Sequence, residues 1–160
     1  MNRDREQGFT LLELLIVVLV ITLALAVAYP SLSRGTSSIH LRSTARDVLN
    51  TFRYAREKAV TEQTGMRVTV DQAKQELVLT DDFGDGSRTY VLPKDVKIQR
   101  MSLAGNEVAQ GPLLVRFLPN GSSENIEVLL KSDTGSYLRV VTDPITGGAR
   151  VEPGPGENAQ

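Results

Sequence analysis

The sequence GFTLLE at residues 8–13 opens an apolar run that extends to Ala28. Glu13 is the only charged residue between Phe9 and Ala28. Since an α-helix rises about 1.5 Å per residue, a helix of about 20 residues is about 30 Å long, which matches the hydrocarbon core of a bilayer. The run therefore predicts a membrane-spanning helix, and we place this segment at residues 9–30.

Glu13 is the unusual residue of this run. A carboxylate in a membrane-spanning helix costs on the order of 3 kcal/mol at the helix centre, and such a charge is normally retained where it has a partner. Glu13 lies one helical turn after Phe9. If the chain is cut before Phe9, the new α-amine of a neighbouring subunit can pair with this carboxylate.

The sequence GFTLLELLIVV at residues 8–18 resembles the type III signal of type IV pilins and of the pseudopilins of type II secretion. In that family a prepilin peptidase cuts after the glycine and N-methylates the new first residue. The resemblance implies that residues 1–8 are a leader, that cleavage follows Gly8, that Phe9 becomes the N-methylated N-terminus and that Glu13 is the assembly carboxylate.

A second interpretation of the N-terminus is a secretory signal peptide, because Ala26-Val27-Ala28 has the A-x-A form that signal peptidase recognises. The apolar run is longer than the h-region of such signals, and Glu13 lies inside it, so we favour the membrane helix. Topology follows the Lys and Arg residues beside a membrane helix. Arg3 and Arg5 precede the run, which predicts a cytoplasmic N-terminus and a periplasmic C-terminal domain.

Composition limits the classes of function. The chain has 160 residues, which fits one domain behind an anchor. A net charge of −1 gives no general indication of a nucleic-acid partner. The absence of cysteine excludes disulfides and thiol chemistry, and a single histidine argues against a His-rich metal site. We expect no cofactor.

An amphipathic helix is predicted after the apolar run, and we place this spine at residues 31–65. Gly35 and several Ser and Thr residues weaken the helix signal at 31–38. From residue 39 onward the signal is strong, and Gly65 is a candidate for the residue that ends the helix. Apolar side chains recur at spacings of three and four residues, which predicts a buried stripe made of Leu41, Ala45, Val48, Phe52, Ala55 and Ala59.

Arginines flank this stripe at positions 42, 46, 53 and 56, within about 80° of one another on a helical wheel. Three interpretations stay open: a solvated flank whose stems cover apolar surface, a contact for an acidic protein, or a phosphate-binding patch. We expect His40 to be a solvated helix residue.

The period changes to two after Gly65, and short alternating segments separated by Gly and Pro turns predict strands. A long helix followed by strands is an α+β order. We therefore expect the spine helix to pack on a small antiparallel β-sandwich, residues 66–152, followed by a disordered tail at 153–160. The predicted strands are 66–70, 76–80, 88–92, 96–101, 113–117, 126–130, 137–142 and 149–152.

No catalytic or metal site emerges from the motifs. The acidic loop at residues 81–87 resembles a calcium loop in composition, but Phe83 occupies the third ligand position and Leu92 the twelfth, so we interpret the loop as a turn and assign no metal residues. The chain has no Gly-x-Ser-x-Gly elbow and no P-loop spacing. We predict that it is not an enzyme.

A second resemblance involves the C-terminal half. FLPNGS at residues 117–122 and Thr146-Gly147 resemble the C-terminal pattern of the GspH and FimT family, and Ala45-Arg46 with Ala55-Arg56 resemble the family's helix. This implies the pseudopilin fold and a minor pseudopilin of type II secretion, a low-copy subunit at the tip of a periplasmic fibre that helps to export folded proteins through an outer-membrane secretin.

The resemblance also implies the partners and one alternative. The partners would be the other major and minor pseudopilins of the tip complex, the prepilin peptidase and the inner-membrane assembly platform. The alternative is a FimT- or FimU-like minor pilin of a type IV pilus. The C-terminal basic repeat of DNA-binding FimT-type pilins is reduced here to Arg150, so we expect no nucleic-acid partner.

Overall fold

One long helix precedes nine strands in the computed structural model, which describes residues 9–84, 86–109 and 111–155, with the backbone alone at 26–36. The chain divides into two compact units, Met1–Thr36 and Ser37–Gln160. The helix, α1, runs from Leu11 to Glu62. Its backbone is helical over residues 31–38, where the sequence signal is weakest.

The end of α1 is built differently from the sequence expectation. The residue with a left-handed backbone is Gln63, with a φ of 52°, and the Thr64 amide donates to the Ala59 carbonyl at 3.3 Å. This is the hydrogen bond of a Schellman cap with Gln63 at C′, so the choice of Gly65 for that position was wrong. Gly65 lies against another side chain: a Cβ there would lie 2.0 Å from a carboxylate oxygen of Asp82, so the Asp82 side chain would have to move.

The strands at Met66–Asp71, Glu76–Asp81 and Leu113–Phe117 alternate between more and less buried positions, as the period-two pattern predicts. In chain order they are β1 (Met66–Asp71), β2 (Glu76–Asp81), β3 (Arg88–Val91), β4 (Val96–Leu103), β5 (Asn106–Glu107), β6 (Leu113–Phe117), β7 (Ile126–Ser132), β8 (Tyr137–Thr142) and β9 (Ala149–Pro153). The two-residue strand β5 lies in a connection that the sequence left irregular, because two residues are too few to show a period.

The strands form two antiparallel sheets. One has the order β3-β2-β1-β6 and the other β5-β4-β7-β8-β9. Every residue of the predicted helix stripe is at most 2 % exposed, and Phe52 at its centre packs against Phe117 of β6, with ring centroids 6.0 Å apart. The prediction of a helix packed on antiparallel sheets is therefore confirmed.

Gln75 fastens one sheet to the other. It lies in the β1–β2 turn with a φ of 56°, and its side-chain oxygen accepts a hydrogen bond from the Ile98 amide of β4 at 2.6 Å. The register of β4 against β7 shifts between Ile98 and Arg100. A bulge interrupts the ladder, and the Gln75 amide group supplies a partner for backbone at that point.

The C-terminal strand continues beyond its predicted end. Pro153 pairs with Leu138 in β9, and the Gly154 amide donates to the Tyr137 carbonyl at 3.2 Å. Gly154 and Pro155 are partly buried. The start of the predicted tail at residue 153 was therefore too early, and residues 156–160 of that tail lie outside the described part.

Candidate functional site

The helix start carries the residues predicted for processing and assembly. Gly8 lies outside the described residues. Phe9 is 77 % exposed, and Glu13 stands exposed in the first turn of α1. The hydroxyl of Thr10 accepts a hydrogen bond from the Glu13 amide at 3.2 Å. Thr10 is therefore the N-cap of α1.

Thr10 and Glu13 have the T-x-x-E spacing of a capping box, a motif that could have been found from the sequence and was missed. Glu13 lies in the first turn of α1, at the positive end of the helix macrodipole, where a negative charge stabilises a helix. None of the ion pairs among the described residues involves Glu13.

Apolar side chains surround α1 along its first turns. The large hydrophobic residues of this segment are each at least 46 % exposed. Among the described residues, no helix combines the length and the apolarity that crossing a membrane requires. The exposed residues are Phe9, Leu11, Leu12, Leu14, Leu15, Ile16, Val17, Val18, Leu19, Val20, Ile21, Leu23 and Leu25.

Arg56 joins the helix to two loops that are distant in sequence. Its Nε donates to the Thr146 carbonyl at 2.6 Å and to the Gly121 carbonyl at 3.2 Å. Gly121 ends the Pro-Asn-Gly turn after β6, and Thr146 precedes Gly147 in the loop between β8 and β9. The segments that carry the C-terminal resemblance therefore meet at one arginine of the helix.

Each of the two loops is ordered by its own side chains. The Asp143 carboxylate accepts hydrogen bonds from the amides of Ile145 at 3.0 Å and of Thr146 at 2.8 Å. The hydrogen bond from the Thr146 backbone is the main cause that lowers the pKa of Asp143. In the other loop Asn120 accepts from the Ser122 amide at 3.0 Å. Such Asx turns fix backbone carbonyls, which here face Arg56.

The opposite flank of α1 is fastened by Tyr90 of β3. The phenol donates to the Asp47 carboxylate at 3.0 Å. Burial, followed by the hydrogen bond to Asp47 and its negative charge, raises the pKa of Tyr90 to about 12. The phenol therefore stays protonated at pH values at which a free tyrosine ionises. The hydrogen bond between the helix and the edge strand persists at those pH values.

Tyr90→Phe should lower stability by about 1 kcal/mol near pH 8, since a hydrogen bond to a carboxylate is lost. The folded pKa of Tyr90 exceeds the unfolded value of about 10, so its contribution is complete below pH 10 and lost as the pH rises towards 12. Between pH 8 and pH 12, the free energy of unfolding measured in urea should fall for wild type towards that of Tyr90→Phe. Tyr54→Phe is the control. Parallel curves for wild type and Tyr90→Phe would contradict this role.

His40 and the acidic loop serve local structure. The Nδ1 of His40 lies 2.5 Å from a carboxylate oxygen of Asp95, so this half-exposed residue has a partner that the sequence did not reveal. In the loop, Asp82 pairs with the Nε of Arg67 at 3.0 Å. The described residues contain no cluster of three or more metal-ligating side chains, and Asp85 lies outside them.

Comparison with known proteins gives a family match for the N-terminal segment and another for most of the remaining chain. A family model for the prokaryotic N-terminal methylation motif matches residues 3–29, and one for type II transport protein GspH matches residues 44–147. The chain belongs to the GspH family. It is a minor pseudopilin of the type II secretion system, which confirms the family and the function that the resemblance implied. The GspH match ends at Gly147 and so includes Arg56 and both loops that it joins.

Individual relatives agree with the family assignment. Type II secretion system protein H of Xanthomonas campestris pv. campestris is 26 % identical over 153 residues, covering 94 % of this chain and 86 % of that protein. Two structures of the minor pseudopilin EpsH from Vibrio cholerae superpose with TM-scores of 0.59 and 0.58, at 14 % and 13 % identity. Each covers 74 % of this chain and at least 97 % of the EpsH chain, which confirms the fold.

Proposed function

We propose that this chain is a low-copy subunit near the tip of the periplasmic pseudopilus and that it acts by assembly, without catalysis or a cofactor. The observation that carries the proposal is the first part of α1, an exposed apolar surface that begins with a single carboxylate. A water-exposed surface of this kind is unfavourable, and packing against the same segments of other subunits removes it from water. Membership of the GspH family supports the pseudopilus as the fibre in which that packing takes place.

Processing prepares the helix for this packing. A prepilin peptidase cleaves after Gly8 and methylates the amine of Phe9, and the match of the methylation motif to residues 3–29 supports both steps. The new amine carries a positive charge. In the apolar fibre core Glu13 of one subunit pairs with the amine of its neighbour, since a buried charge left without a partner costs more than the pair returns.

Before assembly the chain resides in the inner membrane, with its N-terminus in the cytoplasm and the unit from Ser37 onward in the periplasm. The apolar helix start and the methylation motif support this placement. The partners are the other major and minor pseudopilins of the tip complex and the inner-membrane assembly platform. The fibre then helps to move folded proteins through the outer-membrane secretin.

The test is the culture-supernatant proteome of a strain that lacks this chain. We expect several folded exoproteins to disappear from the supernatant, wild type to restore them and Gly8→Val, which blocks cleavage, to leave them inside the cell. A leader variant that keeps Gly8, Gln7→Ala, is the matched control and should restore export. Immunoblots should show the Gly8→Val protein as a slower-migrating, uncleaved band.

The outcomes separate the alternatives. If the supernatant is unchanged when the chain is missing, the secretion role is wrong. If surface pili are lost from the same strain, the chain is instead a minor pilin of a type IV pilus. If Gly8→Val restores export as well as wild type does, the processing step is wrong while the secretion role stands.

A further inference from the structure

Three arginines on one flank of α1 have no acidic partner among the described residues. Arg42, Arg46 and Arg53 are exposed, and none of the ion pairs in the described ranges involves them. We refer to these three as the arginine flank. Arg56, next to them, is occupied by its hydrogen bonds to Gly121 and Thr146.

The local sequence cannot neutralise the arginine flank. On a helix the neighbours of a side chain lie three and four residues away. Of the acidic residues, only Glu57 lies at such a spacing, four residues after Arg53, in the less favourable order of charges. Arg42 and Arg46 are themselves four residues apart, a like-charge spacing that destabilises a helix.

The rest of the chain has no such excess of positive charge. The net charge is −1. Several other cations are paired, as Arg67 is with Asp82 and Arg139 with Glu152, whereas the exposed Lys94, Lys97 and Arg116 lie apart from one another in sequence or on separate strands and also appear in none of the ion pairs of the described residues. The net charge includes these three arginines of the flank, so the rest of the sequence has an excess of four negative charges, but no ion pair among the described residues brings a carboxylate to the arginine flank. A carboxylate-bearing partner supplies that counter-charge.

A groove lies where the arginine flank ends. Its volume is about 460 Å³. Gly148 and Ala149, at the start of β9, line one side, and α1 lines the other with Arg53, Arg56, Glu57, Val60 and Thr61. Val60 is 38 % exposed, and β9 is one of the two edge strands of its sheet. Charge therefore adjoins an apolar surface, a combination that fits a protein partner. Single-stranded nucleic acid would need aromatic stacking platforms, and none of the groove residues is aromatic.

We propose that the arginine flank and this groove bind an acidic helix flank of a neighbouring pseudopilin. Helical rise places Arg42 about 6 Å from Arg46, and Arg46 about 10 Å from Arg53. A partner helix with carboxylates at the same spacings of four and seven residues matches all three, and an apolar side chain beyond the last carboxylate enters the groove. Exposed ion pairs are individually weak. The arginine flank therefore determines which partner binds, and in which register along the helix, more than how tightly it binds.

This inference rests on the proposed function, and its experiment keeps the two apart. The full-length protein is expressed in the strain that lacks it, in three versions besides wild type. The first is R42E/R46E/R53E. The second, R42K/R46K/R53K, keeps the charge. The third, K94E/K97E/R116E, reverses three exposed cations elsewhere and changes the net charge by the same amount.

We expect R42E/R46E/R53E to lower the amount of protein recovered with sheared fibres by on the order of tenfold, while the other two versions stay within about twofold of wild type. Cross-linking to the other pseudopilins in detergent extracts should weaken for wild type between about 0.05 and 0.5 M salt. Converting the partner's carboxylates to lysine should restore R42E/R46E/R53E. Thermal unfolding checks that all versions are folded; if the triple variant is not, the single reversal Arg46→Glu replaces it.

The inference is overturned if R42E/R46E/R53E enters fibres at the wild-type level while wild type restores secretion. It is also overturned if wild type in detergent binds duplex DNA, the reversed version does not, and fibre entry is unaffected. If wild type itself fails to enter fibres or to restore secretion, the proposed function is wrong and this inference falls with it.

Discussion

Glu13→Ala is expected to lower incorporation into fibres by on the order of 100-fold while the protein stays in the membrane fraction. Removing one member of a buried ion pair costs about 3 kcal/mol or more, because the other charge remains buried without a partner. At about 1.4 kcal/mol per factor of ten, that cost corresponds to about two powers of ten. In the proposed pairing, the charge that remains is the methylated amine of a neighbouring subunit.

The structure gives Glu13 a second role that this experiment must exclude. Its amide is capped by the Thr10 hydroxyl, and Thr10 and Glu13 have the T-x-x-E spacing of a capping box. Glu13→Gln separates the roles, because glutamine also serves in a capping box but has no charge. Thr10→Ala does the reverse: it removes the cap, at about 1 kcal/mol of local helix stability, and keeps the carboxylate.

The measurement is the fraction of each variant that sediments with sheared fibres, relative to the fraction left in the membrane. Charge pairing requires Glu13→Ala and Glu13→Gln to fail alike and Thr10→Ala to incorporate close to wild type. If Glu13→Gln incorporates normally and Thr10→Ala does not, the feature that assembly requires is the helix cap, and the pairing hypothesis is wrong.

The elements that the sequence predicts well are those with a local period. The six stripe residues of the spine helix are buried because spacings of three and four place them on one face, whatever covers that face. Alternation in β1 and β2 likewise fixes which side chains turn inward. These patterns are complete within a few consecutive residues, so they can be interpreted without knowing the fold.

Contacts between distant segments have no such signature. β6 joins β1, and β4 joins β7, across long intervening stretches. Arg56 reaches a carbonyl 90 residues away, so its role could not be separated from that of the three exposed arginines by spacing alone. The sequence favours Gly65 as a helix terminator, whereas in the structure Gly65 lies beside the Asp82 carboxylate. Glycine marks a spatial constraint, but the sequence does not say which constraint.

Gly147 shows how severe such a constraint can be. Its φ is 61°, and a Cβ there would lie 2.1 Å from the Gly121 carbonyl oxygen and 3.1 Å from Cδ of Arg56. Gly147→Ala is therefore expected to destabilise the folded unit by about 3 kcal/mol or more, because left-handed strain and overpacking add. The contact at 2.1 Å is with backbone, so a side-chain rotation cannot relieve it.

Two other glycines make this expectation testable. Gly135 has a φ of 84° and no atom within 4 Å of the point where a Cβ would lie, so Gly135→Ala measures backbone strain alone, about 1 kcal/mol. Gly121 has the same φ with a nearest contact of 3.4 Å and should fall between the two. Thermal unfolding of the full-length variants in detergent should give losses in the order Gly135→Ala, Gly121→Ala, Gly147→Ala. Equal losses at Gly147 and Gly135 would mean that the two loops separate freely, and the junction at Arg56 would then have no part in holding the helix to the sheets.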